Sequence, residues 1–386
     1  MRRFSNTFRL LLILVLMDAG LRAQEIRVVE PKGNFDPKFY VCYKSPKPVV
    51  IDGKANDPGW KKAEWTEAFG DIEGGRNPSP RYRTRVKMLW DDEYFYIAAE
   101  IEEPAVWGTR KERDSVVFED NDFEVFIDPD GDTHQYYELE LNALNTVWDL
   151  LLIKPYRDGG PAVSGWDIRG LKTAVAVDGT LNEPKDKDKG WTVEIALPWT
   201  SLRECVPGKK ERPDPGDQWR VNFCRVEYRP SVQNGAYVKA TDPSSGRPYA
   251  EDNWSWSPQG LINAHYPEMW GFVQFSAKTA GKGKELFADG FDEKVKWALR
   301  RIYYREREFR QDNGVFTADF SALGFGQDPS VKPDGWEFPP RISITESLFE
   351  ALFRNADGAS WHIRQDGLVW KVEPPAKQAS WRPRVK

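Results

Sequence analysis

"VFEDNDFEVFIDPDGD", residues 117–132, decides the fold. From Phe123 the stretch alternates without a break, with Phe123, Val125 and Ile127 on one side and Glu124 and Phe126 on the other. A period of two is that of a strand with one face on a core. Asp130-Gly131 is a hairpin turn signal. The next run, "YYELELNAL" (136–144), sets Tyr137, Leu139 and Leu141 against Glu138, Glu140 and Asn142. Paired, the two strands offer one apolar face to a core and one polar face to solvent or ligand.

The same pattern spreads outward. "TRVKMLWDDEYFYIAAEIEEP" (84–104) is two apolar runs broken at Asp91-Asp92-Glu93, a hairpin signal. "GWTVEIALPWTSL" (190–202) puts Trp191, Val193, Ile195 and Leu197 on one side, and "QWRVNFCRVEY" (218–228) and "WGFVQF" (270–275) extend the set. Short strands with turn-rich connections and no long helix between them predict a mainly β protein. The expected architecture over residues 40–277 is an antiparallel, jelly-roll-like β-sandwich. Residues 278–290 are small, basic and Gly-containing, and read as a linker. Beyond them, Val295, Leu299, Ile302 and Phe309 fall near helical spacing, Asp292 stands where a cap belongs, and Asn313-Gly314 ends the run. Short strands such as "RISITE" and "LVWKVEP" follow, so a small helix-plus-sheet (α+β) module is expected over 291–375.

The first residues combine a basic segment (Arg2, Arg3, Arg9), a short apolar run from Leu10 to Met17, and small residues at Ala19, Gly20 and Ala23. Residues 1–23 therefore read as a secretory signal peptide, which predicts a secreted or periplasmic protein of the bacterial envelope with no transmembrane segment after cleavage. The formal charge of −5 is spread along the chain, which argues against a nucleic-acid partner. Cys42, Cys205 and Cys224 form no CxxC and no disulfide framework, leaving one bridge or three free thiols open. His134, His265 and His362 share no metal-ligand spacing, so a His/Cys zinc site is not expected. Of the seventeen tryptophans many are expected in the core, and a few on the surface, where a flat ring can stack against a sugar's C–H face. Trp90, Trp191, Trp219, Trp254 and Trp256 sit in strand patterns and read as core. Trp107, in the loop "PAVWGTRKERD" (104–114), reads as an exposed platform for a sugar ring.

The order of the motifs resembles the family 9 carbohydrate-binding modules and their relatives in secreted bacterial proteins. "PVVIDGKANDPGW", "VKMLWDDEYFYIAAEIEEP", "FEDNDFEVFIDPDGD", "YYELELNALN", "GWTVEIALPW" and "WSWSPQGLINAHYPEMWGFVQF" follow in sequence over roughly residues 40–277. The resemblance implies a β-sandwich that clamps a terminal sugar between two aromatic rings, with polar side chains on its hydroxyls and structural calcium. Carried over, the first ring falls at Phe118 and the acid at Glu124. The polar pair falls at Glu140 and Asn142, and the second ring near His265, with Asn263 beside it. Phe118 and His265 replace tryptophans, and Glu140 replaces an arginine.

Three readings of the opening stretch stay open. As a pocket wall, Glu124, Glu140 and Asn142 would accept or donate hydrogen bonds to sugar hydroxyls under a flat ring. As a cation site, Asp128, Asp130 and Asp132 alternate as hard-cation ligands do, although Leu139 stands where an EF-hand needs glutamate. As a catalytic pair, Glu124 with Glu140 or Asp122 would make a glycan hydrolase or lyase. The leading expectation is a non-catalytic carbohydrate-binding protein. The alternatives are that glycan-active enzyme, or a cell-envelope structural protein that has lost sugar binding.

Overall fold

The computed structural model describes residues 27–374 apart from 291 and 327. The expected signal peptide, residues 1–23, lies outside the described residues. In chain order the strands are β1 (Phe39–Lys44), β2 (Gly70–Asp71), β3 (Thr84–Trp90), β4 (Tyr94–Glu102) and β5 (Asp122–Asp128). Next come β6 (Tyr136–Asn142), β7 (Val147–Leu152), β8 (Ala162–Val163), β9 (Lys172–Asp178) and β10 (Gly190–Pro198). A single helical turn, α1 (Trp199–Leu202), precedes β11 (Gln218–Glu227), β12 (Pro230–Gln233), β13 (Ala236–Lys239), β14 (Asp252–Ser255) and β15 (Gly271–Thr279). The last elements are helix α2 (Glu293–Asn313) and strands β16 (Arg341–Ile344), β17 (Phe349–Arg354), β18 (Ser360–Arg364) and β19 (Val369–Val372).

The large sheet runs β8-β7-β6-β5-β11-β15-β1-β3-β4-β10-β9 and folds over one core. Phe123, Val125 and Ile127 from β5 and Leu139 and Leu141 from β6 meet Val86, Met88, Ile97, Val193 and Ile195 from the opposite leaf. Burying each such side chain contributes about 1.5–3 kcal/mol. Register is fixed by the same alternation, because a one-residue slip of β5 would drive Asp122 and Glu124 into that core. Trp90, Trp191, Trp219, Trp254 and Trp256 lie in it, as their strand positions predict. The antiparallel expectation needs one correction: β1 pairs in parallel with β15 and with β3, joining the two leaves. Cys42, Cys205 and Cys224 are buried, free thiols.

The "IDG…W" motif is a clasp between the leaves' edges. Glu194 of β10 accepts N–H bonds from Asp52 (2.9 Å), Gly53 (2.7 Å) and the Trp60 indole (2.7 Å). Gly53 has φ of +85°, and a Cβ there would sit 2.7 Å from the Val175 carbonyl carbon, so only glycine closes this turn.

The C-terminal residues form the expected helix and four-stranded antiparallel sheet, β16-β17-β18-β19. Helix α2 ends at Gly314, in the left-handed conformation. Asp292 precedes α2 but makes no side-chain capping bond, and pairs instead with Lys371 at 3.4 Å. The stretch read as a linker does not hang free. Glu285 N–H donates to the Tyr43 hydroxyl, Ala288 N–H to Gln274, and Phe287 stacks on Phe39 at 4.7 Å. The helical unit shares a core with the sandwich loops, where Val28, Tyr266 and Met269 pack among Leu299, Ile302 and Tyr303. Arg157, in the turn after β7, binds Glu268 at 2.8 Å and lies 3.9 Å over the Tyr266 ring. Tyr304 of α2 also donates to Glu268. Tyr303 and Arg307 of α2 donate to Asp158 at 2.6 and 2.9 Å. No helix among the described residues is long and apolar enough to cross a membrane.

Candidate functional site

The face of β5 and β6 turned away from the core gathers acids. Antiparallel pairing sets Glu124 opposite Glu140, Asp122 opposite Asn142 and Phe126 opposite Glu138. On β7, Trp148 pairs with Glu140 and Leu150 with Glu138; on β11, Cys224 pairs with Glu124. Opposed pairs lie on one face, so Asp122, Glu124, Glu138 and Glu140 make a continuous floor. All four are buried, and Glu124 is the most open at 7 %.

This floor is poorly answered by the protein. Asp122 Oδ1 accepts from Val226 N–H at 3.1 Å, and Glu140 Oε2 accepts from Phe118 N–H at 3.1 Å. Asp122 Oδ2 and Glu138 Oε2 are buried with no hydrogen-bond partner. Among the described residues no lysine or arginine forms an ion pair with any of the four. Burial therefore pushes the Glu124 carboxyl up to about 7. Burial, and then the neighbouring Glu124, pushes Asp122 and Glu138 well above the usual carboxylate range. Glu140 is raised likewise, by burial and by Glu138, Glu124 and Asp122.

Aromatic rings border the floor. A short turn at Val117–Glu119 lifts Phe118 to the surface, 41 % exposed, with its ring 6.2 Å from Trp148 in a stacked pair. Beyond Glu138 stands His265, whose Nδ1 lies 2.9 Å from the Tyr136 hydroxyl and whose Nε2 lies 3.8 Å from Glu138. Burial and then Arg157 lower the His265 pKa to about 4, so the imidazole is neutral. Tyr156 packs edge-on against it at 4.7 Å and is 41 % exposed. Phe118 and His265 thus flank neighbouring positions on one face of one strand, Glu140 and Glu138. The ring that shows on the second side is Tyr156, with His265 behind it.

Several expected contacts take other roles. Asn142 is fully buried, and its amide donates to Arg110 carbonyl oxygen and Asp120 while its oxygen accepts from Leu144 and Thr146 N–H. Both donors and both lone pairs are spent, so Asn142 shapes the loop and cannot reach a sugar. Asn263 Oδ1 accepts His265 N–H at 2.8 Å and orients that residue. Trp107 is 3 % exposed and packs with Val226, Tyr228 and Tyr237, so it is no platform. Its loop is drawn inward because Asp120 accepts the N–H groups of Thr109 and Arg110, both at 2.7 Å.

Asp128, Asp130 and Asp132 do come together, with ligand oxygens within 4.8 Å of one another. Burial and mutual repulsion raise all three carboxyls to about 7, against the pull of Lys296 on Asp130 and of Arg300 and Lys296 on Asp132. These carboxylates turn onto the loop's own N–H groups, at Gly131, Asp132, Thr133 and His134. Arg300 closes over the loop by donating to Gly131 carbonyl oxygen at 3.1 Å. The loop is where the helical unit docks: Thr133 also donates to Gly367 carbonyl oxygen, and Val369 N–H to Asp132 carbonyl oxygen.

Glu138, Trp148 and Tyr156 were not singled out from sequence. Glu138 was findable, since alternation places it beside Glu140. Trp148 and Tyr156 reach the site only through the pairing of β7 and the turn after it.

Residues 51–211 match the family described as carbohydrate family 9 binding domain-like. Two bacterial enzymes are similar over 154 residues at 28 % identity, 40 % of this chain. They are exoglucanase XynX of Acetivibrio thermocellus and endo-1,4-beta-xylanase A of Thermoanaerobacterium saccharolyticum. The match spans only 12 % and 11 % of those enzymes' lengths. Solved structures of a family 9 module from Caldicellulosiruptor kristjanssonii, in complex with cellotriose and with glucose, are 17 % and 18 % identical. Each covers 64 % of this chain; 99 % and 100 % of those chains are covered, with TM-scores of 0.40 and 0.41. The matched residues hold Phe118 and the whole acid floor, while His265 lies past them. Over residues 51–211, then, this chain is similar to the carbohydrate family 9 binding domain-like family.

Proposed function

We propose that this protein binds carbohydrate without cleaving it, outside the cytoplasm, on the face formed by β5, β6 and β7. The observation that carries this reading is the pair of half-exposed rings, Phe118 and Tyr156, standing beside a floor of carboxylates. A sugar ring laid against Phe118 and Trp148 stacks its C–H face, and its hydroxyls donate to Glu124, the one acid of the floor open enough to meet it. The other acids act from beneath. Given that the similar enzymes are an exoglucanase and an endo-1,4-beta-xylanase, β-1,4-linked gluco- and xylo-oligosaccharides are the first ligands to test.

The same geometry weighs against hydrolysis. A glycosidase needs two carboxyls on either side of the scissile bond, one held ionised and one protonated. Here all four acids lie side by side on one sheet face, and all are shifted the same way. Calorimetry and glycan-array binding of the full chain test the proposal, with reducing-end release measured in parallel. Saturable binding that weakens in Phe118→Ala, with no product released, is expected. Folded protein that is retained by no glycan would overturn it, and product release abolished by Glu124→Gln would replace it with the enzymatic reading.

A further inference from the structure

We infer that Asp122, Glu124 and Glu140 hold a divalent, oxygen-preferring cation, calcium by its size, in the floor of the proposed sugar site. Glu138 stands beside them as a further ligand or as the group that takes up the remaining charge. The inference begins with position. The three residues each offer an oxygen, and these oxygens lie within 4.8 Å of one another. Ligands on opposite sides of a calcium ion sit about twice 2.4 Å apart, so the triangle accepts calcium with little closure. Magnesium demands near-ideal octahedral geometry and keeps several of its waters, which a buried set of strand-borne carboxylates suits less well than calcium's looser shell.

A group of acids alone would not suffice. The second observation is that two carboxylate oxygens here, Asp122 Oδ2 and Glu138 Oε2, are buried and bonded to nothing. Asp122 is 0 % and Glu138 3 % exposed. Leaving buried acceptors unmade costs about 1–3 kcal/mol each, more when they are charged. Elsewhere arginines answer such acids, Glu227 with Arg225 at 2.7 Å and Glu268 with Arg157 at 2.8 Å, and the one other orphaned carboxylate oxygen in a buried acid among the described residues, Glu306 Oε1, stands apart from any such cluster. The floor receives no such partner, and its ligand set is all oxygen, with His265 facing Glu138 rather than the triangle. Asp128, Asp130 and Asp132 fail the comparison, because none of their oxygens is orphaned and the cations Lys296 and Arg300 lie over them.

The cation site stands whether or not sugar binds. Where the sugar reading also holds, an ion seated here gives vicinal hydroxyls a positive centre at the position where Glu140 replaces the arginine of the resembled family.

The test uses the full chain stripped with chelator, then titrated with calcium chloride or terbium chloride, following heat and aromatic-sensitised terbium emission. One equivalent is expected, with calcium preferred over magnesium at least tenfold. Asp122→Asn and Glu124→Gln should each weaken binding tenfold or more, while Asp130→Asn should change it less than twofold. Circular dichroism checks that each variant folds. The conservative Glu124→Asp should recover part of the affinity. No heat and no terbium emission from folded wild-type chain would overturn the inference, as would binding lost in Asp130→Asn but kept in Asp122→Asn. Binding of glucosamine but neither glucose nor calcium would also overturn it, assigning the floor to an ammonium group. Calcium binding with no glycan binding would leave the cation site and remove the sugar proposal.

Discussion

Two sets of buried acids in this molecule are treated in opposite ways. At the junction between the sandwich and helix α2, Glu268 and Asp158 are met by Arg157, Arg307, Tyr303 and Tyr304. Burial alone would raise Glu268, yet Arg157 and Arg300 outweigh it and hold its carboxyl below the usual range. On the β5–β6 face, Asp122, Glu124, Glu138 and Glu140 are equally buried and receive two backbone N–H bonds between them. A chain able to pair its acids at one place and not at another separates structural charge from charge kept for something outside the chain. The junction holds the fold; the floor carries a cost that the fold alone does not require.

The largest effect expected follows from breaking the answered set. Arg157→Met strands Glu268 among the tyrosines of α2, while Asp158 keeps Arg307. Removing one partner of a buried pair costs about 3–5 kcal/mol, because the other charge stays buried. Urea unfolding should show that loss; a change under about 1 kcal/mol would mean the junction is not what ties the helical unit down. The unanswered set should respond with the opposite sign. In chelator, Glu138→Gln removes a charge with no partner, and stability should rise by on the order of 1 kcal/mol. A destabilisation there would erase the contrast.

Sequence made the opposing faces legible but not what covers them. Alternation placed Phe123, Val125 and Ile127 on the core and Glu124 on the far side, and the structure agrees. It could not tell that this far side is lidded, because the lid comes from Tyr156 and His265, 32 and 141 positions downstream of Glu124. Asn142 looked free for a sugar because Asp120 and Arg110, which consume its amide, belong to a loop with no periodic signal. Trp107 looked exposed for the same reason. Residues 278–290 have the composition of a linker, but composition does not report that Tyr43 and Gln274 hold their backbone.

A smaller effect sharpens the functional half of the comparison. Phe118→Ala removes a ring that is already 41 % exposed, so the melting temperature should scarcely move. Aromatic stacking is worth about 0.5–1.5 kcal/mol, so glycan affinity should fall roughly two- to tenfold. Equal affinity in the variant would shift the platform to Tyr156.

The subtlest contrast is one of pH, at the second ion pair of the junction. Glu293, at the start of α2, meets Arg220 of β11 at 2.6 Å and Lys296 at 2.9 Å. Burial opposes its ionisation, but Arg220 and Lys296 prevail and lower its carboxyl to about 2. The unfolded chain protonates that glutamate nearer 4.5. Between the two values the unfolded state holds the extra proton, so acidification favours unfolding. The stabilisation is therefore complete above about 4.5 and drains away as pH falls toward about 2. Glu293→Gln should unfold at a lower temperature than wild type at pH 6, and the gap should narrow steadily through pH 4 and 3. A gap that is constant with pH would mean that Glu293 contributes by packing against Arg220 rather than by its charge, and the junction's electrostatic strength would then rest on the Glu268 and Asp158 pairs.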